Sequence, residues 1–184
     1  MKGGEHVGHL NPDDLVKARQ FFEEAIALDP EYPDPYIGMG FIHWQEARLG
    51  MSNSPQNSME QAFELAQKAL ALDESHPRVH SLLGAIYLRM RQYEKGIAAC
   101  ERAVALNPHD IGALCSLGLA LSAADRPQEA IPFLEKAIRL NPIDPMPAIF
   151  FLGDTYRVME QYEKAIPLLK KALNYTPKSY MALI

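Results

Sequence analysis

The chain of 184 residues has two cysteines, Cys100 and Cys115, and a single tryptophan, Trp44. Two cysteines cannot staple a fold of this length, which excludes a disulfide scaffold and fits a reducing compartment such as the cytoplasm. No apolar run approaches the roughly 18 residues that a membrane-spanning helix needs. Residues 1–14 lack the apolar core of a signal peptide. Basic excess is also missing: 18 Lys and Arg stand against 23 Asp and Glu, a net charge of −5. That balance excludes a basic nucleic-acid footprint. No block of one sign suggests a membrane surface. What is present is the composition of an ordinary globular chain, 48% hydrophobic and 22% charged. It is too apolar for disorder and long enough to bury a core.

The informative feature is internal repetition, tested first because periods of 20–50 residues define whole architectures. Leu83-Gly84 recurs as Leu117-Gly118, Ala103 as Ala137 and Asn107-Pro108 as Asn141-Pro142, each 34 residues on. Leu152-Gly153, Tyr156, Ala165, Ala172 and Pro177 repeat the marks 35 residues on, with one residue inserted between Pro142 and Pro147. Upstream, Gly40, Ala62 and Ala69 continue the series. Gly40 to Gly84 is 44 residues, ten more than the period. The spacing places those ten between the unit's two helices, around Gly50 to Pro55. Ala18, Phe22, Ala25 and Asp29-Pro30 form the second half of a further unit.

Each unit predicts two amphipathic helices. Val79, Leu82, Leu83, Ile86, Tyr87 and Met90 recur at three-four spacing. A polar turn at Arg91-Gln92 follows, and then a second helix over 93–106. Asn107-Pro108 ends it, because proline lacks an amide donor and disfavours a helical residue before it. Pro12 after Asn11 and Pro55 after Ser54 fit first-turn prolines behind N-caps. Glycine inside a helix costs about 1 kcal/mol against alanine. Its recurrence at Gly84, Gly118 and Gly153 therefore points to close helix contact, with Gly84 expected near Ala103 and Gly118 near Ala137. A larger side chain there would overpack at a cost of roughly 1–3 kcal/mol.

These marks resemble the tetratricopeptide repeat, over roughly residues 12–179. The units read Leu83-Gly84, Tyr87, Gly96, Cys100, Ala103, Pro108; then Leu117-Gly118, Leu121, Ala130, Leu134, Ala137, Pro142; then Leu152-Gly153, Tyr156, Ala165, Leu169, Ala172, Pro177. The first reads Tyr36, Met39-Gly40, His43, Ala62, Ala66, Ala69, with Glu74 in place of the proline. The resemblance implies an all-α tetratricopeptide-repeat solenoid of antiparallel helix pairs wound as a right-handed superhelix. As one domain over 1–184, it divides into a half repeat at 12–29 and repeats at 33–76 (with the insert near 50–57), 77–110, 111–145 and 146–179. A further helix begins at 180–184. More narrowly, residues 2–30 and the long first unit resemble the repeat regions of bacterial adenylate cyclases and of winged-helix transcription regulators. There the repeats are accessory to a separate working domain. The half unit in front and the apolar residues Tyr180 to Ile184 behind suggest a window cut from a longer solenoid, or ends that self-associate.

The resemblance also implies where a ligand would lie: a concave groove lined by the first helix of each unit. Carried over by spacing, the groove takes Asp34, Ile37, Phe41, Trp44 and Gln45; Arg78, Ser81, Ala85, Leu88 and Arg89; Gly112, Cys115, Leu119, Ser122 and Ala123; and Pro147, Phe150, Asp154, Arg157 and Val158. Tryptophan and arginine are common binding anchors. Apolar surface with three arginines suits a peptide or partner protein with apolar side chains and an acidic group. Phe41 and Trp44 either anchor such a ligand or pack on the insert or a neighbour. Arg89 and Arg157 either recognise it or are solvated or paired within the chain. Ile37 and Phe41 stand where chaperone-tail clamps carry Lys and Asn, so that recognition mode is not implied.

Catalytic chemistry finds no foothold. His76 and His80 are four apart, yet His76 precedes Pro77 and no metalloprotease glutamate follows. His6 and His9 lie near the terminus. Cys100 falls on a core position and Cys115 on the groove side, where it would be an accessible thiol without a partner base. No phosphate-binding glycine loop or nucleophile elbow is present. The expectation is a non-enzyme without metal or cofactor, binding a protein or peptide rather than nucleic acid or membrane. The alternative is a regulatory or oligomerisation region of a larger bacterial signalling protein.

Overall fold

A computed structural model describes residues 12–143 and 145–175, and every regular element among them is an α-helix. The chain divides into two compact units, 1–74 and 75–184. The repeat arithmetic runs through that boundary without marking it. The first unit holds α1 (Pro12–Leu28), α2 (Pro33–Leu49) and α3 (Pro55–Leu72). The second holds α4 (Pro77–Arg89), α5 (Tyr93–Leu106), α6 (Ile111–Ala123), α7 (Pro127–Leu140), α8 (Ala148–Val158) and α9 (Tyr162–Tyr175). The helix foreseen at 180–184 and His6 and His9 lie outside the described residues.

Local chemistry sets the helix starts. Proline opens α2, α3, α4 and α7, where its missing amide would have been unpaired in any case. Ser54 caps α3 by accepting from the Asn57 amide at 3.4 Å. Asp110 caps α6 by accepting from the Ala113 amide at 2.9 Å. The ends of the first helices obey one rule that the sequence did not announce. The Gln92, Arg126 and Gln161 amides each donate to the carbonyl five residues back, at Tyr87, Leu121 and Tyr156, all at 2.9 Å. That bond needs a left-handed residue just before the donor. Arg91, Asp125 and Glu160 adopt it, with φ of 58°, 61° and 60°. The corresponding residue of α2 is Gly50, at φ 66°.

The ten additional residues of the first unit are not a loop around Gly50 to Pro55. The helices α2 and α3 have 17 and 18 residues, against 13 and 14 for α4 and α5. Four extra residues thus lie in each helix and two in the connection. A helical hairpin lengthens most cheaply by whole turns, because four residues return each side chain to nearly the same face. Ser52 and Ser58 bridge the new connection, oxygen to oxygen at 2.7 Å.

The glycines seat the paired helices. A Cβ on Gly118 would come within 2.5 Å of Leu134, and one on Gly153 within 2.9 Å of Leu169. One on Gly84 would strike the Cys100 sulfur. The close neighbours are thus Cys100 and Leu134, not Ala103 and Ala137. In an antiparallel pair with a short connection, midpoint faces midpoint, and Ala103 and Ala137 sit three residues past that point. Around this contact Ile97, Cys100, Leu117, Leu121, Leu134 and Leu152 form a continuous core in the second unit.

Candidate partner-binding face

In the second unit the three first helices adjoin, with α6 in contact with both α4 and α8. A buried polar link pins α6 to α8. Thr155, 1% exposed, donates its hydroxyl to the Phe151 carbonyl at 2.7 Å. Its oxygen is thereby left to accept from Ser122, at 2.9 Å. Burying a hydroxyl is tolerable only when it is hydrogen-bonded, so the pair defines how the two helices sit.

The outward side of these helices carries a mixed surface. On α4, Arg78 and Arg89 are exposed and Ser81 is half-buried, while the half-buried Leu88 packs toward Gly96 of α5 and the core. Ser81 turns its hydroxyl to the Pro77 carbonyl, 3.4 Å away, within its own helix. On α6, Leu119 is 40% exposed. On α8, Val158 is 41% exposed and Phe150 half-buried. The Phe150 ring meets Phe151 edge-on at 5.8 Å, which fixes its direction. Arg157 donates from Nε to Asp154 at 2.7 Å, three residues back on the same helix. Of the two sequence alternatives for Arg157, the structure has the intrachain pair.

Two expected lining residues are corrected. Ile37 is fully buried and Cys115 is 3% exposed. Cys115 packs with Leu114, Ala137 and Ala148. Burial, reinforced by Asp110, pushes the Cys115 thiol up to about 12. Burial, with Glu101, does the same to Cys100, also to about 12. Each unit of pKa lowers the reactive thiolate fraction tenfold, so both thiols should react about a hundredfold or more slowly in the native chain than in denaturant near pH 8. Thiol titration with and without urea checks this, and rapid native reaction at Cys115 would contradict its burial.

Phe41 and Trp44 belong to α2 in the first unit, and both are half-buried. The Arg48 guanidinium lies 5.3 Å above the Trp44 ring. Sequence reasoning passed over that pair, although the i,i+4 spacing of an arginine after a tryptophan signals it. It also passed over Arg19 of α1, which donates to Glu46 of α2 at 2.8 Å. No local pattern connects residues 27 apart. Among the described residues, no three His, Cys, Asp or Glu side chains converge as a metal site would require. No described helix is long and apolar enough to cross a membrane.

Family models described as tetratricopeptide repeat match residues 83–148 and 147–179, which together span 97 of the 184 residues. Transcriptional regulator HilA of Salmonella typhimurium is 26% identical over 156 residues, covering 85% of this chain but 28% of the regulator. The chain thus spans less than a third of that relative's length. Two solved structures share the fold. TTC0263, a thermophilic TPR protein of Thermus thermophilus, aligns with a TM-score of 0.73 at 19% identity, covering 93% of this chain and 87% of that one. YrrB, a TPR protein with an unusual peptide-binding site, aligns at 0.61 and 24% identity, covering 93% and 82%.

Proposed function

Because the chain belongs to the tetratricopeptide-repeat family, we propose that it is a non-catalytic interaction scaffold whose second unit binds a peptide or partner protein on the face of α4, α6 and α8. The observation that carries this reading is the pair of exposed apolar side chains on adjoining first helices, Leu119 of α6 and Val158 of α8, together with the exposed Arg89 of α4. A partner with apolar side chains and an acidic group fits that chemistry. The peptide-binding site named for YrrB, a protein of the same fold, is in keeping with it. Phe41 and Trp44 of the first unit are a separate candidate contact. The partner is sought in the cytoplasm.

The test is binding of a cross-linked and identified partner by titration calorimetry. Leu119→Glu buries an unpaired charge in the contact and should weaken binding about tenfold or more; Arg89→Ala should weaken it several-fold. Glu135→Ala, an exposed change on α7, should leave it unchanged. Unaltered affinity in both face variants sinks the proposal.

A second reading is favoured by the alignment with HilA. Here the chain is the accessory repeat region of a larger regulator and the face receives another domain of the same protein. An immunoblot of the source cells separates the readings. A native product much larger than 184 residues supports the second, and one of that size removes it.

A further inference from the structure

In the first unit α1 is held on α2 by packing and by charge. The Phe22 ring lies over Gly38, where a Cβ would collide with it. Leu15 is 4% exposed. Arg19 Nη2 donates to Glu46 Oε1 at 2.8 Å. One turn before Glu46 on α2, His43 is 7% exposed. Its Nδ1 is 3.6 Å from Glu46 Oε2, beyond hydrogen-bonding distance, and has no hydrogen-bond partner.

Glu46 thus stands between a guanidinium that is always charged and the buried imidazole of His43, the side-chain type whose charge changes nearest physiological pH. Burial is the largest influence on His43 and opposes its protonation. The Arg19 charge opposes it too, and Glu46 favours it. Of the other charged side chains on α1 and α3 whose burial is described, Lys17, Glu23, Glu24, Glu60, Glu64 and Lys68 are exposed and Asp14 is half-buried; the charges that act on His43 are Arg19 and Glu46. Arg19 is brought to His43 by α1, so a docked α1 and a proton on His43 oppose each other. Linkage makes the opposition reciprocal: what expels the proton is in turn weakened by it.

We propose that the first unit carries an acid-operated joint, in which a proton on His43 releases α1 from α2. Displacing α1 removes the Arg19 charge that opposes the proton, so His43 titrates higher with α1 displaced than with it docked. Docking is therefore insensitive to pH where His43 is neutral in both states and weakens as pH falls through the range between the two midpoints. The fall is up to about tenfold per pH unit between the two midpoints.

The experiment measures amide hydrogen exchange of α1 in the 184-residue chain, corrected for intrinsic rates and referenced to α5 to α7. It compares about pH 7.5 with about pH 5.5, on either side of the ordinary histidine range. The fluorescence of Trp44, the only tryptophan and the next residue after His43, follows the same transition. Protection of α1 should fall in the acid sample and be equal at both pH values in His43→Gln. The His43 ring signal should titrate below about 6.5 and move upward in Arg19→Met. That second arm decides the matter if His43→Gln does not dock α1 at all. Unchanged protection of α1 in acid, an undiminished acid effect in His43→Gln, or an unmoved midpoint in Arg19→Met overturns the proposal.

Discussion

Leu134→Ala is expected to lower the unfolding free energy of the second unit by about 2–5 kcal/mol, toward the upper part of that range. The cost of a truncated leucine depends on how far its surroundings collapse into the space. Leu134 is fully buried. Its partner across the helix pair is Gly118, whose would-be Cβ position lies 2.5 Å from Leu134. A glycine has no side chain to swing into the gap, so the cavity persists. Gly118→Ala alone is expected to destabilise as well. The added methyl overpacks by roughly 1–3 kcal/mol, which outweighs the gain in helix propensity of about 1 kcal/mol at most sites. The two changes should not add. With Leu134 reduced to alanine, the methyl at 118 fills part of the vacated space, giving a coupling of about 1 kcal/mol or more. Urea denaturation of the two single variants and the double, followed by far-ultraviolet circular dichroism, provides the cycle. Strict additivity would show that the glycine does not seat that leucine.

The second large effect has the opposite sign. Arg91→Gly, Asp125→Gly and Glu160→Gly are each expected to stabilise the second unit by about 0.5–1 kcal/mol. A left-handed residue with a Cβ carries roughly 1–2 kcal/mol of strain, and glycine gives back part of the relief as unfolded-chain entropy. The three turns are separate, so the triple variant should gain about 2 kcal/mol. Gly50 supplies the converse test. A Cβ there meets nothing within 4 Å, so Gly50→Ala changes only the cost of φ 66°. It should destabilise. A triple variant no more stable than the parent would remove the strain argument.

The helices themselves were legible. The second helix foreseen over 93–106 is α5, Tyr93–Leu106, and the prolines at 12 and 55 begin helices as their chemistry requires. The small residues at the helix contacts were legible too, because a glycine that costs helix stability once per period announces a steric need. The turn residues were not. Arg91, Asp125 and Glu160 share no side-chain property that calls for φ above zero, and only the closing hydrogen bonds reveal it. Of the residues that spacing assigned to a groove, Leu119 is exposed and Leu88 and Phe150 are half-buried, whereas Ile37 and Cys115 are buried. Spacing names a side of a helix. It cannot say whether a neighbour covers that side.

By itself, then, the sequence determined the repeat, the family and the place of most helices. Those follow from apolar periodicity, proline and glycine, which act within a few residues along the chain. Tertiary structure decided the rest. It put the ten additional residues of the first unit mostly into longer helices. It joined Arg19 to Glu46 across 27 positions and buried His43 beside them. It withdrew Ile37 and Cys115 from the surface. Each of these depends on which helix lies against which, and that is settled by close packing between segments far apart in the chain, where no local pattern reaches.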